Sequence, residues 1–394
     1  MPRARVASVD ILRGLVMVVM ALDHARDYLS NSAALFDPTD LTRTTPTLFF
    51  TRWITHLCAP VFVFLAGSSA YLWQGRGKEA SDLARFLGTR GLWLVALEIF
   101  VVSPLGWSFN LLFAFTALQV NWVIGVSMIL LALGVLLFRP RVIGGVGVTM
   151  ILLHNVFDGA HAAWLGRAAG AWKWLHQVQF FHIGPSRMVG SLYLIVPWVG
   201  VMMAGYAAGE LLTWAPARRG RTLVRLGWVS TAGFVLLRAS NLYGDPSPWS
   251  HRGSALFNLM SFLNCTKYPP IAPFSADDPG PAFLLLAFLD GASEGKWRAA
   301  RIFGSVPLFY YLLHLPLLHG AAVLLSYLKY GSAAWLLRGP IFLSAMTKSL
   351  PAGYGYGLPV VYGVWIGSVV LLYPLCCWYA GVRRRRREWI FRYL

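Results

Sequence analysis

Ser8-Val9-Asp10-Ile11-Leu12-Arg13-Gly14 opens the stretch that decides the fold. An apolar run, Leu15 to Leu22, follows, and Asp23-His24-Ala25-Arg26-Asp27 closes it. Arg13 and His24 lie eleven positions apart with almost nothing polar between them. In an α-helix that is about three turns, so both side chains share a face, roughly 16 Å apart along the axis. Ionisable groups inside a bilayer are costly, and where they occur they mark functional positions. The stretch reads as a first membrane helix with a charge near one membrane edge and an ionisable group near the other.

Composition supports the same reading over the whole chain. Of 394 residues, 57% are hydrophobic and only 13% charged, and the mean hydropathy is +0.57. A soluble domain carries about a quarter charged residues. Repeated apolar windows of near-span length predict an all-α, polytopic membrane protein. The formal charge of +18 is explained by Lys and Arg collecting in the loops of one side, and nucleic acid is not an expected partner. The start, Pro2-Arg3-Ala4-Arg5, runs straight into the first apolar segment and reads as a retained first helix. None of the cysteines, Cys58, Cys265, Cys376 and Cys377, has metal-ligand spacing, and no metal site is expected.

About ten spans are expected, near 11–29, 54–73, 88–105, 112–137, 142–158, 190–212, 224–240, 278–293, 303–326 and 359–381. The intervening loops alternate. One set holds Arg76, Lys78, Arg85 and Arg90, then Arg139 and Arg141, then Arg218 to Arg225, then Lys296 to Arg301, then Arg383 to Arg387. That side is expected to be cytoplasmic, with both termini on it. The other set is longer and rich in Trp, Gly, Pro and Tyr, the composition of an aromatic interface belt. The chain reads as a single domain over residues 1–394, with a basic cytoplasmic tail at 383–394 that also contacts anionic lipids.

Several residues could carry chemistry. His24 and Asp27 stand at i, i+3, so a carboxylate can face the imidazole, a pairing that suits a general base. A polar helix end meeting water explains His24 as well. Asp23 lies beside them. Arg52 and His56 open the second span at i, i+4 on the same outer level. They suit an anion or a substrate hydroxyl, or simply an interfacial arginine and a core histidine. Asn264-Cys265-Thr266-Lys267-Tyr268-Pro269-Pro270 offers an amide, a cation and a phenol on an extended element, because Pro269 keeps Tyr268 out of the helical region. In the ninth span Tyr310 and His314 stand at i, i+4. His314 is either part of a site or a core histidine bonded to Tyr310 or to a carbonyl freed by Pro316. On the cytoplasmic side Asp10 and Arg13 form an i, i+3 pair, and Arg13, Lys78, Arg85 and Arg90 could surround a phosphorylated ligand.

Taken in order, Ser8 to Gly14, Ala59-Pro60-Val61-Phe62-Val63-Phe64-Leu65-Ala66-Gly67, Pro197-Trp198 before Gly205-Tyr206, Lys267-Tyr268-Pro269-Pro270, and Tyr311 to His314 resemble the heparan-alpha-glucosaminide N-acetyltransferase family and its bacterial relatives. The spacing from Arg13-Gly14 to His24 is also similar to the first helix of the broader membrane O-acyltransferase group. The resemblance implies acyl transfer across a bilayer, from cytoplasmic acetyl-CoA to an acceptor on the outer side. It implies His24 as catalytic base or acyl carrier, with Asp23, Asp27 and His56 as helpers. Arg13, Asp10, Lys78 and Arg85 would attend the donor. Arg52, Asn264, Lys267, Tyr268 and His314 would attend the acceptor, a sugar on a glycan or a lipid, with Asn264 or Lys267 at the oxyanion. A multi-pass protein of a bacterial cytoplasmic membrane is implied, and a homodimer is left open.

Two other classes stay open at this point. Ten spans suit a transporter or flippase for a polar or lipid-linked solute, although inverted repeats are not evident. A haem or quinone protein could use His24, His56, His154 or His314 as ligands, although no two of these share a helix at a diagnostic spacing.

Overall fold

Helix α1 (Ala7–Leu29) runs through the middle of a helical bundle, and most of its residues are buried. The structure is a computed structural model and describes residues 6–243, 247–265, 279–291, 295–337, 350–386 and 388. Short helices α2 (Asn31–Leu35) and α3 (Pro46–Trp53) follow, and a 3-10 turn at Ile54–Leu57 leads into α4 (Cys58–Gln74). Helix α5 (Ala80–Leu97) runs on without a break into a π-helix at Glu98–Ser108. Then come α6 (Val120–Leu137), α7 (Pro140–Leu153), α8 (Ala169–His176), α9 (Ile195–Ala208) and α10 (Pro216–Ser240). The remainder are α11 (Ala255–Leu263), α12 (Pro279–Asp290), α13 (Arg298–Ser305), α14 (Pro307–Tyr330) and α15 (Leu358–Arg385).

The boundaries follow local chemistry. Helices α3, α7, α10 and α14 begin on Pro46, Pro140, Pro216 and Pro307, where the missing N–H has no intrahelical partner to lose. Thr45 caps α3 by accepting from Leu48 N, and Ser254 caps α11 by accepting from Phe257 N. Helix α14 ends on Gly331 in the left-handed region, at φ 72°.

Among the described residues, seven helical segments are long and apolar enough to cross a membrane: Pro46–Gln74, Ala80–Ser108, Val120–Leu137, Pro140–Phe157, Ile195–Thr213, Pro307–Tyr330 and Leu358–Arg385. The protein is an all-α polytopic membrane protein. The three other expected spans coincide with α1, α10 and α12. Helices α1 and α10 are long but carry several charges, and α12 is apolar but has twelve residues. In α1 the reason is its position: α4, α12, α13, α14 and α15 pack around it, so its charges meet protein rather than lipid.

Two expected edges move. The stretch expected to begin a span at 112 contains a strand, β1 (Phe115–Leu118), and the helix starts only at Val120. The stretch expected to begin at 190 holds the end of β3 (Met188–Ser191), and α9 starts at Ile195. With β2 (Gln179–His182) these form a three-stranded sheet in the order β1-β3-β2. Strand β1 lies parallel to β3, with Thr116 opposite Val189, and β2 lies antiparallel to β3. Apolar composition does not separate a short buried strand from the first turns of a helix.

Close backbone contacts explain the glycine of the opening motif. A Cβ on Gly14 would overlap Ala300 O, and one on Gly304 would overlap Asp10 O. Small residues let helices approach to backbone contact in an apolar medium. The crossing of α1 and α13 therefore depends on both glycines, and it brings a backbone carbonyl of α13 up to Arg13.

Candidate active site

His24 and His314 are 290 residues apart in sequence, and their ring nitrogens meet. His24 Nδ1 lies 2.8 Å from His314 Nε2. The proton positions follow from the partners. His314 Nδ1 points at two backbone oxygens, Tyr311 O at 2.8 Å and Tyr310 O at 3.2 Å. Carbonyl oxygens only accept, so Nδ1 carries the proton, and Nε2 of the neutral ring is an acceptor. His24 Nδ1 then donates to it. That leaves His24 Nε2 with its lone pair, the form a general base or a nucleophile needs. His314 is fully buried and His24 is half-buried. A haem iron cannot lie between the two nitrogens of a 2.8 Å hydrogen bond.

Sequence spacing offered Asp27 as the orienting partner of His24 and a carbonyl freed by Pro316 as the partner of His314. The structure gives His24 Nδ1 to His314 and gives His314 the carbonyls of its own preceding turn. A helical side chain leans toward the N-terminus of its helix and reaches the i−3 and i−4 carbonyls. Pro316 frees the carbonyl of Leu312, which is in the wrong place.

Around the pair stands a column of rings. Trp107 meets His24 edge-on, with centroids 5.3 Å apart, and Tyr28 tilts against Trp107 at 5.7 Å. His319 stacks between Tyr28 at 4.9 Å and Phe109 at 4.1 Å. On the far side Tyr310 stacks on His314 at 5.3 Å. Trp107 comes from the π-helix, and Gly106 O beside it accepts from Tyr28 Oη and from His319 Nδ1, each at 2.8 Å. Single π-turns recur at functional sites, where they re-aim side chains. Trp107, Tyr28 and His319 were not singled out from the sequence. The signal available was Pro104 and Gly106 inside an apolar span, which weaken a regular helix there.

Asp23 works as a tie. Its Oδ1 accepts from Arg26 Nη2 at 2.8 Å, Thr55 Oγ1 at 2.9 Å and Arg52 Nη1 at 3.0 Å. Asp27 Oδ1 accepts from the same nitrogen, Arg26 Nη2, at 2.6 Å. Arg26 is buried, and a buried guanidinium between two carboxylates is the expected compensation. The network locks α1 to α3 and to the 3-10 turn, and so sets the depth of His24 relative to Arg52 and His56. His56 is buried on that turn.

At the other end of α1, Arg13 is held from three sides. Nη1 bonds Asp10 Oδ1 at 3.3 Å and Gly304 O at 3.1 Å, and Nη2 bonds Ser69 Oγ at 2.9 Å. Lys78 and Arg85 are exposed on the neighbouring turn and on α5. Between Arg13 and His24 the same face of α1 carries Met17 and Met20, both buried.

Asn264 spends its side-chain amide on Thr39 O, at 2.9 Å, and its carbonyl accepts from Arg238 Nη2 at 2.7 Å. These bonds fasten one loop to another. Lys267 and Tyr268 lie outside the described residues.

The profile of the heparan-alpha-glucosaminide N-acetyltransferase catalytic family matches residues 5–236, more than half of the chain. The chain belongs to that family. No curated protein matches it. Membership makes this family member a multi-pass membrane transferase. The matched residues carry Arg13, His24, Arg52, His56 and Trp107. His314 lies beyond them, so the hydrogen bond that orients His24 joins the matched segment to the rest of the chain.

Proposed function

We propose that the protein transfers an acetyl or similar acyl group from cytoplasmic acetyl-CoA to a hydroxyl or amine of a sugar on the outer face of the membrane. The observation that carries this reading is the His24–His314 pair, which leaves His24 Nε2 as an oriented base. It stands about 16 Å from Arg13 along one face of α1. We take the arginine-rich end of the bundle as cytoplasmic, because basic loops stay on that side.

The donor fits this geometry as a long, thin chain with phosphates at one end and a thioester at the other. Arg13, with Lys78 and Arg85, attends the phosphates, as charge-assisted bonds favour. Met17 and Met20 lie along the path. Their unbranched side chains can move aside more readily than branched ones. Bound there, the donor supplies an activated acyl carbon at the level of His24.

His24 Nε2 takes the proton from the acceptor O–H or N–H as the acceptor oxygen or nitrogen bonds to the acyl carbon. His314 Nε2 holds the imidazolium through the Nδ1–H hydrogen bond while the charge persists. When the C–S bond breaks, His24 Nε2–H returns the proton to the departing thiolate, and the neutral dyad is restored. Arg52 and His56, at the same depth, face the acceptor side.

The test is transfer of labelled acetyl from acetyl-CoA to bacterial envelope glycans by protein in sealed vesicles. His24→Ala should lower turnover about 10²–10⁴-fold while leaving the protein folded in size-exclusion chromatography. Normal turnover by His24→Ala overturns the assignment. Transfer that needs acetyl-CoA on the face opposite the arginine loops overturns the direction.

A further inference from the structure

Helix α7 stands at the edge of the bundle, and Val142, Gly145, Val146, Val148 and Thr149 on it are exposed. An apolar trough flanks it on each side. One, of about 660 Å³, is lined by Val146, Thr149 and Leu153 of α7 and by Leu175 of α8. The other, of about 330 Å³, is lined by Val148, Ile151 and Leu152 of α7, with Phe64 of α4, Trp198 of α9 and Phe283 of α12. Of the residues lining these two troughs, one borders both: His154, which directly follows α7 at its end away from the arginine loops.

A polar group gathers there. His154 and His176 are each more than nine-tenths buried, with ring centroids 6.2 Å apart. His154 Nδ1 donates to Ile151 O at 2.9 Å. His176 Nε2 lies 3.2 Å from Asp158 Oδ1, and Asn155 Nδ2 donates to Asp158 Oδ2 at 2.8 Å. Trp172 covers His176 with centroids 4.9 Å apart. The segment that follows, residues 159–189, has no Asp or Glu and contains Arg167, Lys173 and Arg187. All three are exposed. A positive segment on the side away from the arginine loops runs against the positive-inside pattern, so it calls for an anionic partner.

We infer that one anionic two-chain phospholipid straddles α7, with a chain in each trough and its phosphate at the His154–His176 edge beneath the basic segment. Two troughs on either side of one helix, joined at one polar residue, match two chains joined at one headgroup. A hydrocarbon chain supplies the apolar contact that both linings ask for. The local cations supply the preference for negative charge. The site lies around α7, between α8 on one side and α4, α9 and α12 on the other, and does not depend on acyl transfer.

The test is native mass spectrometry of the full-length, delipidated protein titrated with phosphatidylglycerol, phosphatidylcholine or a polyprenyl phosphate. Gly145→Phe fills the first trough, since a side chain there starts into open space. Ala204→Phe fills the second, which Ala204 lines. Both variants are first checked for an unchanged melting temperature. Each should weaken phosphatidylglycerol binding about tenfold, and His154→Gln with His176→Gln should erase the preference over phosphatidylcholine. Wild-type phosphatidylglycerol affinity in both trough variants overturns the site. Loss in one variant only, with the polyprenyl phosphate binding best, replaces the two-chain occupant with a single chain and overturns the proposal as stated. Equal binding of phosphatidylcholine to wild type overturns the anionic headgroup.

Discussion

His314 is the residue whose replacement separates orientation from chemistry. In His314→Leu the acceptor opposite His24 Nδ1 is gone, and a donor in a half-buried pocket loses its partner. An unsatisfied buried N–H costs about 1–3 kcal/mol, which is about 5- to 150-fold in a rate. His24 recovers part of this by turning toward solvent or by moving its proton to Nε2, and either change removes the lone pair from the productive direction. A fall in kcat of about 10- to 100-fold, with the KM for acetyl-CoA little changed, is the expected signature of a lost transition-state contact. His314→Gln is the control. Its side-chain oxygen reaches the position of Nε2 and accepts from His24 Nδ1–H, so most of the turnover should return. His314→Asn is shorter and should behave like Leu. The assay is single-turnover acetyl transfer in vesicles at matched protein level. Leu at near-normal turnover would show that the 2.8 Å contact has no part in orienting His24. Gln as inactive as Leu, in a folded protein, would refute orientation alone, because the acceptor is then restored without effect.

Other perturbations bear on other links of the argument. Arg13→Gln should raise the KM for acetyl-CoA about tenfold or more with a smaller change in kcat; an unchanged KM in vesicle assays places the donor phosphates elsewhere. Gly14→Leu should prevent correct assembly, since its Cβ would overlap Ala300 O, and overpacking against backbone destabilises by about 3 kcal/mol or more; detergent melting curves read this directly. Asp158 is partly buried, which alone raises a carboxyl, but hydrogen bonds from His176 and Asn155 outweigh burial and hold it below the usual carboxylate range. A depressed carboxyl stabilises the fold above its unfolded pKa, and that support is lost as pH falls through the folded one. The 158–176 tie should therefore persist at neutral pH and open only in strong acid, and Trp172 fluorescence in wild type against Asp158→Asn checks it. His154, one turn back, and Tyr243 are the other titratable neighbours.

Local pattern carried the helices and the two ends of α1. Charge at Arg13, an apolar run and ionisable groups from Asp23 onward are all visible within one segment, and so is the shared level of Arg52 and His56. The partners were not visible. Which group faces His24 depends on α14 packing beside α1, almost three hundred residues later, and no periodicity records that. The carboxylates near His24 were legible as residues, and the structure bonds them to the buried Arg26 and the half-buried Arg52. Trp107 was hidden for a different reason. Its helix winds as a π-turn through Pro104 and Gly106, so the regular 3.6-residue projection puts it on the wrong face.

The arrangement of α1 explains why its charges sit where they do. At one end the Gly14–Gly304 crossing fixes α13 against α1 and gives Arg13 a carbonyl to hold. At the other end Asp23, bonded by Arg26, Arg52 and Thr55, fixes α1 against α3. Both anchors are on the one helix, so the separation between Arg13 and His24 is set by helical rise rather than by loops that can drift. The proposed function would use such a fixed interval, with donor and acceptor approaching from opposite ends and meeting at one nitrogen. What remains adjustable is the pair of methionines between the anchors. On the proposed function, rigid ends with a yielding middle would admit a thin donor chain, and that division follows from the residue types along a single face.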